Sequence, residues 1–155
     1  MLSKYRVLIL VLILLMVSTI LCSQVASSAT DDSTSIKIKD VATITLNGLL
    51  KRSFAESSYI NWEVFSLNGS SYAADYWDAW EWEEEDYFID DMIDMLSNKL
   101  SIGSTPDDKY GVWTLTKDDN KTIASCHNKV NIVKFNLLSD AYGYYISAID
   151  IEPYR

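Results

Sequence analysis

The chain has 155 residues, 22 Asp and Glu against 13 Lys and Arg, and a formal net charge of −9. That length is one domain's worth, enough to bury a core without several disulfides, and that charge opposes nucleic acid and anionic lipid while suiting cations or basic partners. It holds 1 His and 2 Cys and carries no Cys-x-x-Cys, His-Glu-x-x-His, Gly-x-Ser-x-Gly or phosphate-binding glycine loop, which argues against zinc and redox chemistry and predicts no catalytic residue, metal ligand or cofactor.

Lys4 and Arg6 precede an apolar run from Val7 to Cys22. As a helix that run spans roughly 24 Å at ~1.5 Å per residue, short of the ~30 Å hydrocarbon layer of a bilayer. Ala26-Ser27-Ser28 and Ser27-Ser28-Ala29 follow with the small-x-small pattern of a signal-peptidase site. Residues 1–29 therefore read as a cleaved signal peptide. An uncleaved N-terminal membrane anchor is the alternative, because a Leu-rich run can tilt or thin the bilayer. Either way the remainder is expected outside the cytoplasm, since the basic residues lie before the run and Asp31 and Asp32 after it. Residues 30–35, small and polar, read as a spacer, and residues 36–155 as a single extracytoplasmic domain.

Within that domain Ile36, Ile38, Ala42, Ile44 and Leu46 recur at even spacing, which predicts a half-buried strand ended by Asn47-Gly48. Leu49 to Phe54 then returns as a strand or forms a short helix. A second strand is expected over Tyr59 to Leu67, ended by Asn68-Gly69.

Between Ser53 and Asn98 the sequence has no Lys or Arg. On a helical wheel of residues 86–100, Phe88, Ile89, Met92, Ile93, Met95, Leu96 and Leu100 occupy one arc and Asp86, Asp90, Asp91 and Asp94 the other, the pattern of an amphipathic helix docked on a sheet. Glu83, Glu84, Glu85 and Asp86 suit its start, where the helix dipole favours negative charge, and Gly103 its stop. Extending the wheel backwards puts Tyr72, Tyr76 and Trp80, with Tyr87, on the acidic side. Two arrangements satisfy this reversed phase. A break near Trp82 to Glu85 lets each piece bury its own face, whereas one continuous helix exposes aromatics among carboxylates. The second makes Tyr72, Tyr76, Trp80 and Tyr87, rimmed by Asp90 and Asp94, a binding surface of the type enriched at protein interfaces.

Period-two sequence resumes over Val112 to Lys117, Lys121 to Cys126, Val130 to Leu138 and Tyr144 to Ile151, with connections short enough for hairpins. The predicted fold class is thus α+β: an antiparallel meander of four strands, extended by one or two N-terminal strands, with amphipathic helix on one face. Cys126 is expected to be buried and inert and His127, in the turn that follows, to face solvent; on a strand the two neighbours would point to opposite faces, so neither reading pairs them as nucleophile and base. Asn68 and Asn120 lie in Asn-x-Ser/Thr sequons at expected turns, where a glycan can be accommodated.

These readings describe an exported or membrane-tethered acidic domain that binds a basic protein partner through its acidic aromatic segment, not nucleic acid. Membrane contact would come from the N-terminal segment if uncleaved. A secreted hydrolase using a carboxylate pair and a structural envelope protein without a ligand are the alternatives.

Overall fold

The computed structural model describes residues 32–53, 55–105, 107–118 and 120–155. The expected signal peptide or anchor, with Cys22, lies outside the described residues. The compact unit comprises Ile38–Arg155 and is α+β: three helices and a mixed, mostly antiparallel sheet of six strands.

Helix α1 covers residues 32–51, which corrects the expected strand over residues 36–46 and the expected spacer at residues 32–35. Its buried side chains in the compact unit are Ile38, Val41, Ala42, Thr45, Leu46 and Leu49, the i, i+3, i+4, i+7, i+8, i+11 stripe of a helix, with Gly48 buried beside them. Ile44 and Leu50 point outward. Asn47-Gly48 is therefore helix interior rather than a hairpin turn. A Cβ on Gly48 would come within 2.6 Å of Glu56 Cβ and 2.8 Å of the Glu56 carbonyl carbon, so glycine stands there because the following segment crosses the helix at contact distance. The helix closes with Ser53 N–H donating to Gly48 O (2.8 Å) and Arg52 N–H to Leu49 O (3.2 Å). That is a Schellman motif with Arg52, not glycine, at the left-handed position (φ 55°).

The expected strand over Tyr59–Leu67 runs beside the last strand but is interrupted. Ile60 bridges to Ile146, a 3₁₀ turn follows over Trp62–Val64, and only Ser66–Leu67 (β1) resumes pairing. Trp62 and Phe65, three apart, are both buried. A continuous strand would send them to opposite faces, whereas a turn of three residues brings them to the same one. Asn61 caps the turn, its Oδ1 accepting from Glu63 N–H at 3.1 Å. Asn68 (φ 49°) and Gly69 (φ 79°) then make the left-handed two-residue turn expected there, leading into β2 (Ser70–Ser71).

Helices α2 (Ala73–Glu81) and α3 (Glu85–Ser101) precede the meander β3 (Thr114–Asp118), β4 (Lys121–His127), β5 (Asn131–Ser139) and β6 (Tyr144–Pro153). The sheet order is β2-β1-β6-β5-β4-β3, antiparallel except for the β1/β6 pair. Ala124, Cys126, Val133, Phe135, Leu137, Ile146 and Ile149 bury one face of the meander in a single core with α1 and α3. Ile146 and Ile149 are three apart, and a register shift between Asn136 and Leu137 lets both face inward.

Candidate functional site

The acidic aromatic corner is built from the hairpin outward. Tyr72 N–H donates to Phe65 O at 2.9 Å, and the Tyr72 ring packs tilted on Phe65 with centroids 6.4 Å apart. One turn later Tyr76 meets Phe88 edge-on at 5.9 Å. Trp62 completes the cluster, edge-on to Phe65 (5.0 Å) and Phe88 (6.2 Å). Of the residues expected to bind, Tyr72 and Tyr76 are thus half-buried and serve to dock α2 on the core. Burial, with Glu63 and Glu85 nearby, pushes the Tyr76 hydroxyl above the ordinary tyrosine range. Asp94 also has a structural partner: Arg52 reaches it at 3.1 Å and donates to Asn98 Oδ1 at 2.8 Å, tying the end of α1 to α3.

Trp80 and Tyr87 are 56 % and 76 % exposed, and Asp90 is exposed beside them in sequence on α3. Two further aromatics share this exposure, Trp77 at 45 % and Trp82 at 75 %. Trp77 and Trp80 pack edge to face at 5.8 Å. The continuous helix does not form, since α2 and α3 are separate. The helix does break over Trp82–Glu84, where Glu84 N–H donates to Ala79 O (2.8 Å) and Glu83 N–H to Trp80 O (3.1 Å) around a left-handed Glu83 (φ 59°). Yet α2 buries no residue fully, so breaking the helix does not hide the tryptophans. Asp75, Asp78, Glu81, Glu83, Glu84, Asp86, Asp90 and Asp91 are all exposed around them. Glu85 differs: its Oε2 is buried without a hydrogen-bond partner among the described residues.

Cys126 faces the core and burial pushes its thiol up to about 12. His127 is exposed, its ring stacked on Tyr154 at 4.2 Å, so the adjacent pair forms no nucleophile and base. Asn68 accepts from Ile151 N–H through Oδ1 at 2.8 Å, and Asn120 is exposed in the β3–β4 turn.

A second feature escaped the sequence. A cleft of about 830 Å³ lies between α1 and residues 100–113, with Leu46, Leu50, Val112 and Trp113 among its apolar lining. One side of it is a polar network. The Asn128 amide donates to Ser104 Oγ (3.0 Å) and its oxygen accepts from Asn131 N–H (2.7 Å). Asn131 Nδ2 in turn donates to Leu100 O (3.2 Å) at the end of α3. Asp108 accepts from the Thr105 N–H and hydroxyl, both at 2.8 Å, and pairs with Lys129 at 3.3 Å, which together hold its carboxyl below the ordinary range. Trp113 Nε1 donates to Thr43 Oγ1 at 3.0 Å, closing the base against α1. A smaller cleft of about 340 Å³ is lined by Tyr59, Trp62, Tyr76, Tyr145 and Glu63, among others. Among the described residues no group of three or more His, Cys, Asp or Glu side chains has metal-binding geometry. No described helix is long and apolar enough to cross a membrane.

In comparisons with known proteins, no family model, no curated protein and no solved structure matches the chain.

Proposed function

We propose that the chain is an exported or membrane-tethered domain that binds a basic protein partner through the corner formed by α2 and the start of α3. The observation that carries this reading is that α2 buries no residue fully, while Trp77, Trp80, Trp82 and Tyr87 stand exposed. Large exposed aromatics grouped in a short stretch of chain mark interaction surfaces, and tryptophan and tyrosine dominate binding energy where they are excluded from water on contact. The carboxylates around them supply long-range attraction, which raises the encounter rate and selects for positive charge. An inhibitor of a basic extracellular protein fits the same description.

The hydrolase alternative has less support. Among the described residues Asp108 is the one carboxylate lining the large cleft and Glu63 the one lining the small cleft, so neither offers there the pair that a two-carboxylate mechanism requires.

Titrating the full chain with small basic proteins, and with acidic proteins of similar size, tests the reading through Trp emission. Saturable binding of a basic member is expected, weakened about tenfold or more by Trp80→Ala with Trp82→Ala, as for anchor residues at an interface, with charge unchanged. Binding that survives both substitutions would reduce the interaction to unspecific charge attraction.

A further inference from the structure

We infer that the cleft between α1 and residues 100–113 binds a small amphipathic carboxylate of the medium-chain fatty-acid type, its aliphatic body against Leu46, Leu50, Val112 and Trp113 and its anionic head towards Lys39 and Lys109. The volume, about 830 Å³, lies in the range that encloses a small organic ligand. Val112 is 87 % exposed and Leu50 39 %, and both line the cleft. They leave apolar surface uncovered along the cleft, Val112 at its rim, where an aliphatic chain would remove part of it from water.

Charge selects the head group. The chain as a whole carries −9, yet among the described residues the charged ones lining this cleft are Lys39, Lys109 and Asp108. Asp108 is already satisfied by Thr105 and Lys129, and its side chain is only 8 % exposed. Lys39 and Lys109 form no ion pair among the described residues. The uncommitted charge facing a ligand is therefore positive, against the sign of the protein. Thr43, which also lines the cleft, accepts from Trp113 and donates to Lys39 O at 2.7 Å. That chain of bonds fixes the Trp113 ring at the base and the backbone that bears Lys39.

The test follows the Trp113 indole N–H resonance of the full chain, assigned by its loss in Trp113→Phe, during titration with decanoate, decanol and decyltrimethylammonium. The site predicts a saturable shift with decanoate and an affinity about tenfold or more above that for the cation, a ~1.4 kcal/mol preference opposite to what unspecific attraction to an acidic protein would give. Lys39→Gln with Lys109→Gln, both on the cleft wall outside the core, should lower decanoate affinity about tenfold by removing two attractive charges and leave decanol unchanged. Equal or tighter binding of the cation overturns the proposal. So does decanoate binding indifferent to the two lysines, or a Trp113 resonance that no ligand moves.

Discussion

Helices α2 and α3 are both acidic and aromatic, and only Trp82–Glu84 separates them, yet they hold to the protein in different ways. Helix α3 buries Ile89, Met92, Ile93, Leu96, Ser97 and Leu100 along one stripe, whereas α2 is held through the half-buried Tyr72 and Tyr76 and buries nothing completely. Acidity and aromatic content therefore do not distinguish a structural helix from a surface helix; the spacing of the aliphatic residues does. About three turns of Ile, Met and Leu repay the ordering of α3, while Trp77 and Trp80 of α2 keep about half of their surface in water. From that difference α3 is expected to unfold with the core and α2 to open at lower cost, by itself.

The most direct way to break it is to truncate one side chain on each helix. Leu96 is fully buried, and Leu96→Ala should destabilise the protein by about 2–5 kcal/mol through lost transfer energy and a cavity. Trp80→Ala removes a larger side chain from a mostly exposed position and should change stability by no more than about 0.5 kcal/mol. Urea denaturation of both variants measures the difference. Comparable losses would place α2 inside the cooperative core.

A finer cut separates docking from folding. Tyr76 meets Phe88 on α3 at 5.9 Å, and Tyr76→Ala removes that contact without entering the main core. We expect faster amide exchange throughout α2 by about tenfold or more, the effect of losing an aromatic pair and its buried area, with α3 unchanged. The Cys126 thiol, buried and pushed to about 12, supplies a second readout. It should stay as unreactive towards a thiol reagent in the variant as in the parent, because its exposure requires opening the sheet. Reactivity that rises together with α2 exchange would show that the two regions open as one.

The same principle, that spacing outranks composition, explains what was legible in the sequence. The meander was, to within a few residues at each strand end, because its alternation has no competing period and its connections are short. Helix α3 was legible from its aliphatic stripe. Helix α1 was not, because Ile38, Ala42 and Leu46 are four apart, a spacing that is both even and one helical turn; the residues that decide are the buried Val41, Thr45 and Leu49, of which Thr45 is polar and Val41 follows Asp40. Asn-Gly served twice, once as a turn at Asn68-Gly69 and once as a close approach at Gly48 that only the position of Glu56 reveals. At the aromatic corner the wheel rightly exposes Trp80 and Tyr87. It misplaces Tyr72 and Tyr76, whose partners Phe65 and Phe88 lie on other elements, and it passes over Trp77 and Trp82. The large cleft depends on α1 being a helix, so the misread strand concealed it.

The smallest expected effect is the most discriminating. Arg52 and Glu83 both occupy the left-handed position of a Schellman motif, where a side chain costs about 1 kcal/mol that glycine does not. Arg52 offsets that cost through Asp94 and Asn98, whereas Glu83 is exposed on the corner. Glu83→Gly should therefore stabilise the end of α2 by about 1 kcal/mol and slow its amide exchange about fivefold. If α2 opens at lower urea than the core, that gain shifts only the earlier step and the urea midpoint of the core moves little, because at that midpoint α2 is already open on the folded core. A midpoint that rises by the full amount would mean that α2 folds with the core despite burying no residue completely, and the distinction between the two helices would then rest on exposure alone.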